Sequence, residues 1–279
     1  MQIYSLVSQK GGAGKSTLAR QLAVLAGEAE PSLIIDRDPQ RTTTKWWTRR
    51  EQIEPAFERP ELVDLDGTNL TDAAKRLRRK SDGALFIDTR PAVEEPEAEA
   101  ARVADLVIVP VRPSPDDLEA VGETLKILRR LDRRAAVIVN AAKNEARAIA
   151  ARAALSRYPV PVCPIHLSDR TIYLDASLEG RGVTEMRGHA AREAADELRQ
   201  VWSWIQEIRH RPRARRRNGR AGRGAGRGPE HRGGDRGSTR AGHRLAGDRA
   251  DQRASHPARS SPASPAQPRH RVVFAEAGA

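Results

Sequence analysis

The chain has 279 residues, a formal net charge of +12 and one cysteine, Cys163, which excludes an intrachain disulfide. No apolar run of about 18 residues offers a membrane-spanning helix. Residues 209–279 contain 18 arginines, no lysine and five acidic residues, whereas residues 1–208 have a net charge of −1. The positive charge therefore belongs to residues 209–279 and predicts nothing about the surface of residues 1–208.

Short apolar segments alternate with amphipathic segments along residues 1–208. We predict strands at 3–7, 33–35, 62–65, 85–87, 106–111, 136–139 and 160–164, and helices at 15–27, 42–50, 70–80, 94–103, 115–131 and 145–157. This alternation predicts an α/β fold with a mostly parallel sheet flanked by helices on both faces. Prolines at positions 159, 161 and 164 disfavour the last strand, because each removes an amide donor.

A further helix is predicted near the end of this part of the chain. Its apolar residues recur at helical spacing at Ala194, Leu198, Val201, Ile205 and Ile208. We expect this apolar side to pack on the domain. The alternative is a helix that lies on a membrane surface, which the acidic residues between these positions oppose.

The octapeptide Lys-Gly-Gly-Ala-Gly-Lys-Ser-Thr at 10–17 lies between the first predicted strand and the first predicted helix. Its glycines allow backbone N–H groups to turn inward, and a helix N-terminus adds positive potential, so the segment predicts a phosphate cradle. Lys15 is expected to reach the β- and γ-phosphates, and the Ser16 hydroxyl to bind Mg²⁺. The predicted nucleotide contacts are Gly11, Gly12, Ala13, Gly14, Lys15, Ser16 and Thr17.

Carboxylates follow two of the predicted strands. Asp36 and Asp38 come after the second strand, and Asp88 ends the fourth. An apolar strand that ends in Asp, downstream of a P-loop, is the Walker B arrangement, so Asp88 is expected to hold Mg²⁺ through water. We expect the side chain of Arg90 to point to solvent, with contact to the γ-phosphate as the alternative.

The octapeptide departs from the usual P-loop, because Gln9 stands where glycine is common and Lys10 adds a second lysine. In this it resembles the deviant Walker A motif of the ParA/MinD family of ATPases. The segment at 104–118, ADLVIVPVRPSPDDL, is also similar to a segment of that family. The resemblance covers residues 1–208, is strongest to short plasmid-type ParA partition proteins, and implies a P-loop NTPase fold.

The resemblance also implies roles for single residues. Lys10 would reach across a dimer interface to the partner's nucleotide, Asp36 would support the Mg²⁺ shell, and Asp38 would orient the attacking water. Asn140, after the strand at 136–139, would contact adenine. The candidate DNA contacts, late in the domain where the family has a basic patch, are Arg181, Arg187, Arg192 and Arg199.

We therefore expect an ATPase switch that uses ATP and Mg²⁺, forms a homodimer in the ATP state and binds DNA nonspecifically. A centromere-binding, ParB-like protein would stimulate its weak hydrolysis, and the switch would partition or position a plasmid or chromosomal cargo. The expected location is the cytoplasm, in association with the nucleoid. The alternatives are a MinD-like or conjugation-associated positioning ATPase that acts on a membrane or protein complex, and a passive nucleic-acid-binding protein that acts through its tail.

Residues 209–279 are rich in Arg, Gly and Pro and lack apolar periodicity, which predicts a disordered tail beyond an ATPase domain at 1–208. Two interpretations of the tail stay open. It is either a nonspecific nucleic-acid tether that neutralises phosphates, or a frame-shifted, non-native extension.

Overall fold

The computed structural model of the protein describes residues 1–91, 95–210 and 271–273. Its strands are β1 (Gln2–Leu6), β2 (Ser32–Asp36), β3 (Glu61–Asp64), β4 (Ala84–Asp88), β5 (Leu106–Val111), β6 (Ala135–Val139) and β7 (Arg271–Val273). Its helices are α1 (Lys15–Gly27), α2 (Thr42–Arg50), α3 (Leu70–Lys80), α4 (Glu95–Val103), α5 (Pro115–Arg130), α6 (Glu145–Leu155), α7 (Ile172–Leu178) and α8 (His189–His210).

The strands form one parallel sheet in the order β6-β5-β1-β4-β2-β3-β7. β1 lies between β5 and β4, so the loop that follows β1 leaves the middle of the sheet at its carboxyl edge, where ligands bind in such folds. β4 pairs with both β1 and β2 and brings Leu6, Asp88 and Asp36 into register. The predicted α/β fold with a parallel sheet and helices on both faces is confirmed.

Two hydrophobic cores cover the two faces of the sheet. Neighbouring residues of β1 face opposite cores: Ile3 packs with α3, α4, α5 and α6, and Tyr4 packs with α1, α2, α7 and α8. Because both faces are buried, the strands are apolar along nearly their whole length instead of alternating with polar residues.

Helix α8 packs on the domain through its apolar side. Leu198 and Ile205 have no exposed surface, and the Trp202 ring lies 5.3 Å from that of Tyr4 and 5.8 Å from that of Phe86, measured between centroids. The predicted packing of this helix is therefore confirmed, and its buried side chains are not available to a membrane surface. No helix in the described part of the chain is long and apolar enough to cross a bilayer.

Three features differ from the sequence predictions. The strand predicted at 160–164 is wrong: Val162 forms only an isolated bridge to Val137, as expected where prolines interrupt the amide donors. Helix α7 and a 3₁₀ turn at Val183–Glu185 follow this segment and had no counterpart in the predictions. β7 lies within the predicted disordered tail and pairs with β3, whereas the other tail residues beyond 210 lie outside the described part. The predicted domain end at residue 208 falls inside α8.

We expect Cys163 to resist alkylation in the folded protein. Its side chain has no exposed surface, and burial raises the pKa of its thiol to about 12, so the reactive thiolate is scarce near neutral pH. Intact-mass measurement after iodoacetamide treatment should find unmodified native protein and one added group in denaturant. Native modification at the rate of a free thiol would contradict this placement.

Candidate functional site

The loop after β1 leads into the N-terminus of α1 with the geometry that suits an anion. Gly12 and Gly14 have φ values of 76° and 93°, which glycine adopts without steric cost. The Gly14 carbonyl accepts a 2.8 Å hydrogen bond from the N–H of Leu18 and so starts the helix. The first turn of α1 contains no acidic residue, so the positive end of the helix is left to attract an anion.

Asn140 supports this loop from the end of β6. Its side-chain amide donates a 2.8 Å hydrogen bond to the carbonyl of Ala13. A Cβ atom on Gly14 would lie only 2.1 Å from the Asn140 amide nitrogen, so glycine is needed there for space as well as for its φ. The adenine contact of Asn140 stays a prediction.

Lys15 is the buried cation of the loop, with 5% of its surface exposed. Burial lowers the pKa of its ammonium group, and the carboxylates of Asp88, Asp38 and Glu97 oppose this shift by favouring the charged form. The sequence analysis identified the first two of these carboxylates and missed Glu97. A cation in a desolvated setting interacts strongly with an incoming phosphate.

Asp88 ends β4 with no exposed surface. Its Oδ2 accepts a 2.6 Å hydrogen bond from the Thr43 hydroxyl of α2, and its Oδ1 has no hydrogen-bond partner among the described residues. Burial raises the pKa of Asp88 to about 6, although the hydroxyls of Thr43 and Ser16 act to lower it. A buried carboxylate oxygen without a partner suits a cation or a cation-bound water.

Asp36 and Asp38 have different surroundings, although only one residue separates them. The Oδ2 atom of Asp36 accepts from the backbone N–H and the hydroxyl of Thr44, at 2.8 and 2.9 Å, and its Oδ1 accepts from the N–H of Asp38. Asp38 accepts from the N–H of Gln40 at 2.9 Å. Asp36 therefore anchors the start of α2, whereas Asp38 lies in the loop beside Lys15.

These contacts identify two residues that the sequence analysis missed, Thr43 and Thr44. Their hydroxyls, in the first turn of α2, each bind one of the two strand-end carboxylates, Thr43 to Asp88 and Thr44 to Asp36. A run of threonines shortly after Asp36 was the available signal. Threonine oxygens at a helix start are usually helix caps, so the pattern alone does not predict this contact.

The donors present fit Mg²⁺ as part of a nucleotide complex. No group of three His, Cys, Asp or Glu side chains able to hold a metal occurs in residues 1–91, 95–210 and 271–273. Mg²⁺ commonly keeps several waters and takes only one or two protein ligands together with phosphate oxygens. The Ser16 hydroxyl and the unpaired Oδ1 of Asp88 suit that role, whereas both oxygens of Asp36 already accept hydrogen bonds.

Arg90 does not point freely to solvent, so that prediction is wrong. Its Nε donates a 2.9 Å hydrogen bond to Glu97 Oε1 within an ion pair, and Glu97 is 1% exposed. Desolvation would make an unpaired carboxylate costly at this position. The ion pair with Arg90 therefore stabilises the buried Glu97 carboxylate, and it holds the Arg90 side chain against α4.

A cavity of about 300 Å³ lies beside the loop. Gly14 and Thr17 line it from the start of α1, Arg112 and Asn140 from the ends of β5 and β6, and Tyr173 from α7. Its volume and mixed apolar and polar lining are typical of sites for small molecules.

The basic side chains predicted to act outside this pocket differ in their partners. Arg181 pairs with Glu179 at 3.2 Å and Arg199 with Asp196 at 3.4 Å. The other two candidate DNA contacts, Arg187 and Arg192, are exposed and have no ion pair among the described residues. The side chain of Lys10 likewise has no ion pair in that part of the chain and is partly exposed.

Comparison with known proteins also indicates a nucleotide-binding domain. Residues 4–183 match the family model described as the CobQ/CobB/MinD/ParA nucleotide binding domain. The chain is 26% identical over 213 residues to the maintenance of carboxysome distribution protein A of Gloeobacter kilaueensis, covering 72% of this chain and 92% of that protein. It is 30% identical over 131 residues to a ParA protein of Rhizobium radiobacter, covering 46% and 56%.

The fold is also similar to solved structures. The Cyanothece McdA(D38A)–ATP complex matches with a TM-score of 0.59 and 19% identity, over 74% of this chain and 96% of that one. At this identity the likeness concerns the fold alone.

We expect Gly14→Ala to damage the loop and Gly11→Ala to be tolerated. The first substitution adds a Cβ at φ 93° and 2.1 Å from Asn140, whereas a Cβ on Gly11 meets nothing within 4 Å. Gly14→Ala should lower the free energy of unfolding by about 1–3 kcal/mol, and Gly11→Ala by well under about 1 kcal/mol. Denaturant unfolding measures both.

The double variant Gly14→Ala with Asn140→Ala separates the two causes. Removing the Asn140 side chain relieves the clash but not the backbone strain, so Gly14→Ala should cost less in an Asn140→Ala background than in the wild type, the Asn140→Ala single variant accounting for the lost hydrogen bond to Ala13. No difference between Gly14→Ala and Gly11→Ala would contradict the described loop.

Proposed function

The chain belongs to the CobQ/CobB/MinD/ParA nucleotide-binding family, and on this premise we propose that it is an ATP-dependent dimerising switch that positions a cargo. ParA/MinD proteins are P-loop ATPases, and the relatives named above include a carboxysome distribution protein and a ParA protein. The observation that carries the proposal is the buried Lys15 of the glycine loop, whose charge the carboxylates of Asp38 and Asp88 favour, with Asp88 held beside the end of β1 by strand pairing.

ATP would place its phosphates at the N-terminus of α1. The loop N–H groups and the helix dipole favour the negative charge, and Lys15 neutralises the β- and γ-phosphates from inside the loop. The base would occupy the adjoining cavity, where Asn140 lines the wall. On binding, the preorganised N–H donors of the loop would replace the water molecules around the phosphates of ATP, and such preorganised donors are a strong source of stabilisation for phosphate charge.

Mg²⁺, when bound with ATP, would offset the charge of the β- and γ-phosphates, held by Ser16 and, through water, by Asp88. Asp36 would support this arrangement indirectly, because its hydrogen bonds to Thr44 hold the start of α2. Asp38 would orient the water that attacks the γ-phosphate. Its carboxylate lies in the loop after β2, 9% exposed, and acts on the charge of Lys15.

Lys10 would act between two copies of the chain. It precedes the two exposed glycines of the loop and is not engaged by an acidic side chain in the described part of its own chain. In a dimer that joins the two nucleotide sites, this lysine would meet the phosphates of the partner's ATP. An unneutralised phosphate charge at such an interface would oppose association.

The ATP dimer would bind DNA nonspecifically and release it after hydrolysis. Arg187 and Arg192 support this part of the proposal best, because both are exposed and neither forms an ion pair among the described residues. Two subunits add weak phosphate contacts that a monomer lacks. A centromere-binding, ParB-like protein would stimulate turnover, and the cargo would be a plasmid or another large particle.

We expect Asp38→Ala to bind ATP normally and to lose hydrolysis by at least about hundredfold, because Asp38 would act on the water and not on the phosphates. Light scattering should then find a trapped ATP dimer of doubled mass. Asp116→Ala, at an exposed aspartate of α5, should behave as wild type, and Lys15→Ala should lose ATP binding. Normal turnover in Asp38→Ala would remove the assigned role.

We expect Lys10→Ala to bind ATP and to remain monomeric. Lys15 and the loop amides still hold the nucleotide, but the interface loses its neutralising cation. Binding of a fluorescent ATP analogue measures the first property, and sedimentation with ATP, with and without nonspecific DNA, measures the second. Lys126→Ala on α5, an exposed lysine that pairs with Glu123, is the matched control. A stable ATP dimer of Lys10→Ala would mean that Lys10 is only a solvated loop residue.

A further inference from the structure

Arg112 follows β5, beside the glycine loop. β5 pairs directly with β1, so the end of β5 and the loop after β1 leave the sheet side by side. Pro113 restricts the backbone of the residue before it to extended conformations. The N–H of Asn140 donates to the carbonyl of Val111 at 2.8 Å and ties this point to the end of β6. The backbone that carries Arg112 is therefore held on both sides.

The Arg112 guanidinium lies over the glycine loop and at the edge of the cavity. A Cβ atom built on Gly12 would be 3.5 Å from one terminal nitrogen of Arg112 and 3.7 Å from the central guanidinium carbon. The same side chain lines the cavity together with Gly14, Thr17 and Asn140. Arg112 thus lies between the glycine loop and the cavity.

The charge of Arg112 has no counterpart in the described part of the chain. No ion pair or side-chain hydrogen bond of Arg112 occurs there, and the residue is exposed. Arg90 and Arg50, in contrast, pair with Glu97 and Glu185. Carboxylates act on the charge of Lys15, whereas Arg112 beside Gly12 has no such ion pair in the described residues.

We propose that Arg112 binds the phosphate chain of the nucleotide held by its own subunit, as a second cation opposite Lys15. This rests on the proposed function. A guanidinium presents paired N–H groups that match two phosphate oxygens, which an ammonium on the same stem does not. The subunit's own nucleotide is the expected ligand because the Arg112 side chain lines that subunit's cavity together with Gly14 and Asn140.

The test is displacement of a fluorescent ATP analogue by ATP, ADP and inorganic pyrophosphate, which lacks a base. Arg112→Gln should weaken all three by about tenfold, as expected for loss of a charge-assisted hydrogen bond. Arg112→Lys should recover binding to within about threefold of wild type, because it keeps the charge but not the paired donors. Arg147→Gln, at an exposed arginine of α6 with no ion pair in the described residues, should change nothing.

Three results would overturn the assignment: unchanged binding in Arg112→Gln, weaker binding of nucleotides with unchanged binding of pyrophosphate, or unchanged ADP affinity together with loss of the ATP dimer when the same variant is sedimented with ATP. The second result would mean that Arg112 contacts the base, and the third that it acts on the partner's nucleotide. Failure of the proposed function would give a different result from failure of the Arg112 assignment. In that case the wild-type protein would not bind ATP, or Lys15→Ala would bind ATP normally.

Discussion

The parallel pairing of β4 with both β1 and β2 determines where each group of the phosphate site lies. In this register Asp88 is directly beside Leu6 on one side and Asp36 on the other. The octapeptide with the glycine loop starts four residues after Leu6, at Lys10, so cation, carboxylates and loop amides meet at one edge of the sheet. A shift of one residue in either pair would turn a carboxylate toward the opposite core.

Helix α2 connects these carboxylates to the far side of the domain. Its first turn binds both of them, through Thr43 and Thr44. Its last residue, Arg50, is 2% exposed and forms a two-point ion pair with Glu185, at 2.5 and 2.7 Å, and its guanidinium lies 5.5 Å from the Trp46 ring. A nucleotide that alters the surroundings of Asp88 therefore acts on a helix that is anchored at both ends.

The sequence alone determined the structural features that form from residues close together in the chain. The glycine loop, its lysine and the helix start form from consecutive residues, and the strands before Asp36 and Asp88 are short apolar runs, so local chemistry suffices to predict them. The side of α8 that packs on the domain was predictable for the same reason, because its periodicity is a local property. The segment at 160–164 combined two opposed local signals, apolar residues that favour a strand and prolines that disfavour it, and only an isolated bridge forms there.

Tertiary structure alone decided the contacts between residues far apart in the chain. The hydrogen bond from Asn140 to Ala13 joins positions 127 residues apart, and that from Thr43 to Asp88 joins positions 45 apart. Arg112 reaches the loop after β1, about 100 residues earlier in the chain, only because β5 lies next to β1. Strand order selects these neighbours, and hydrophobic periodicity, which reports burial and not pairing, leaves strand order open.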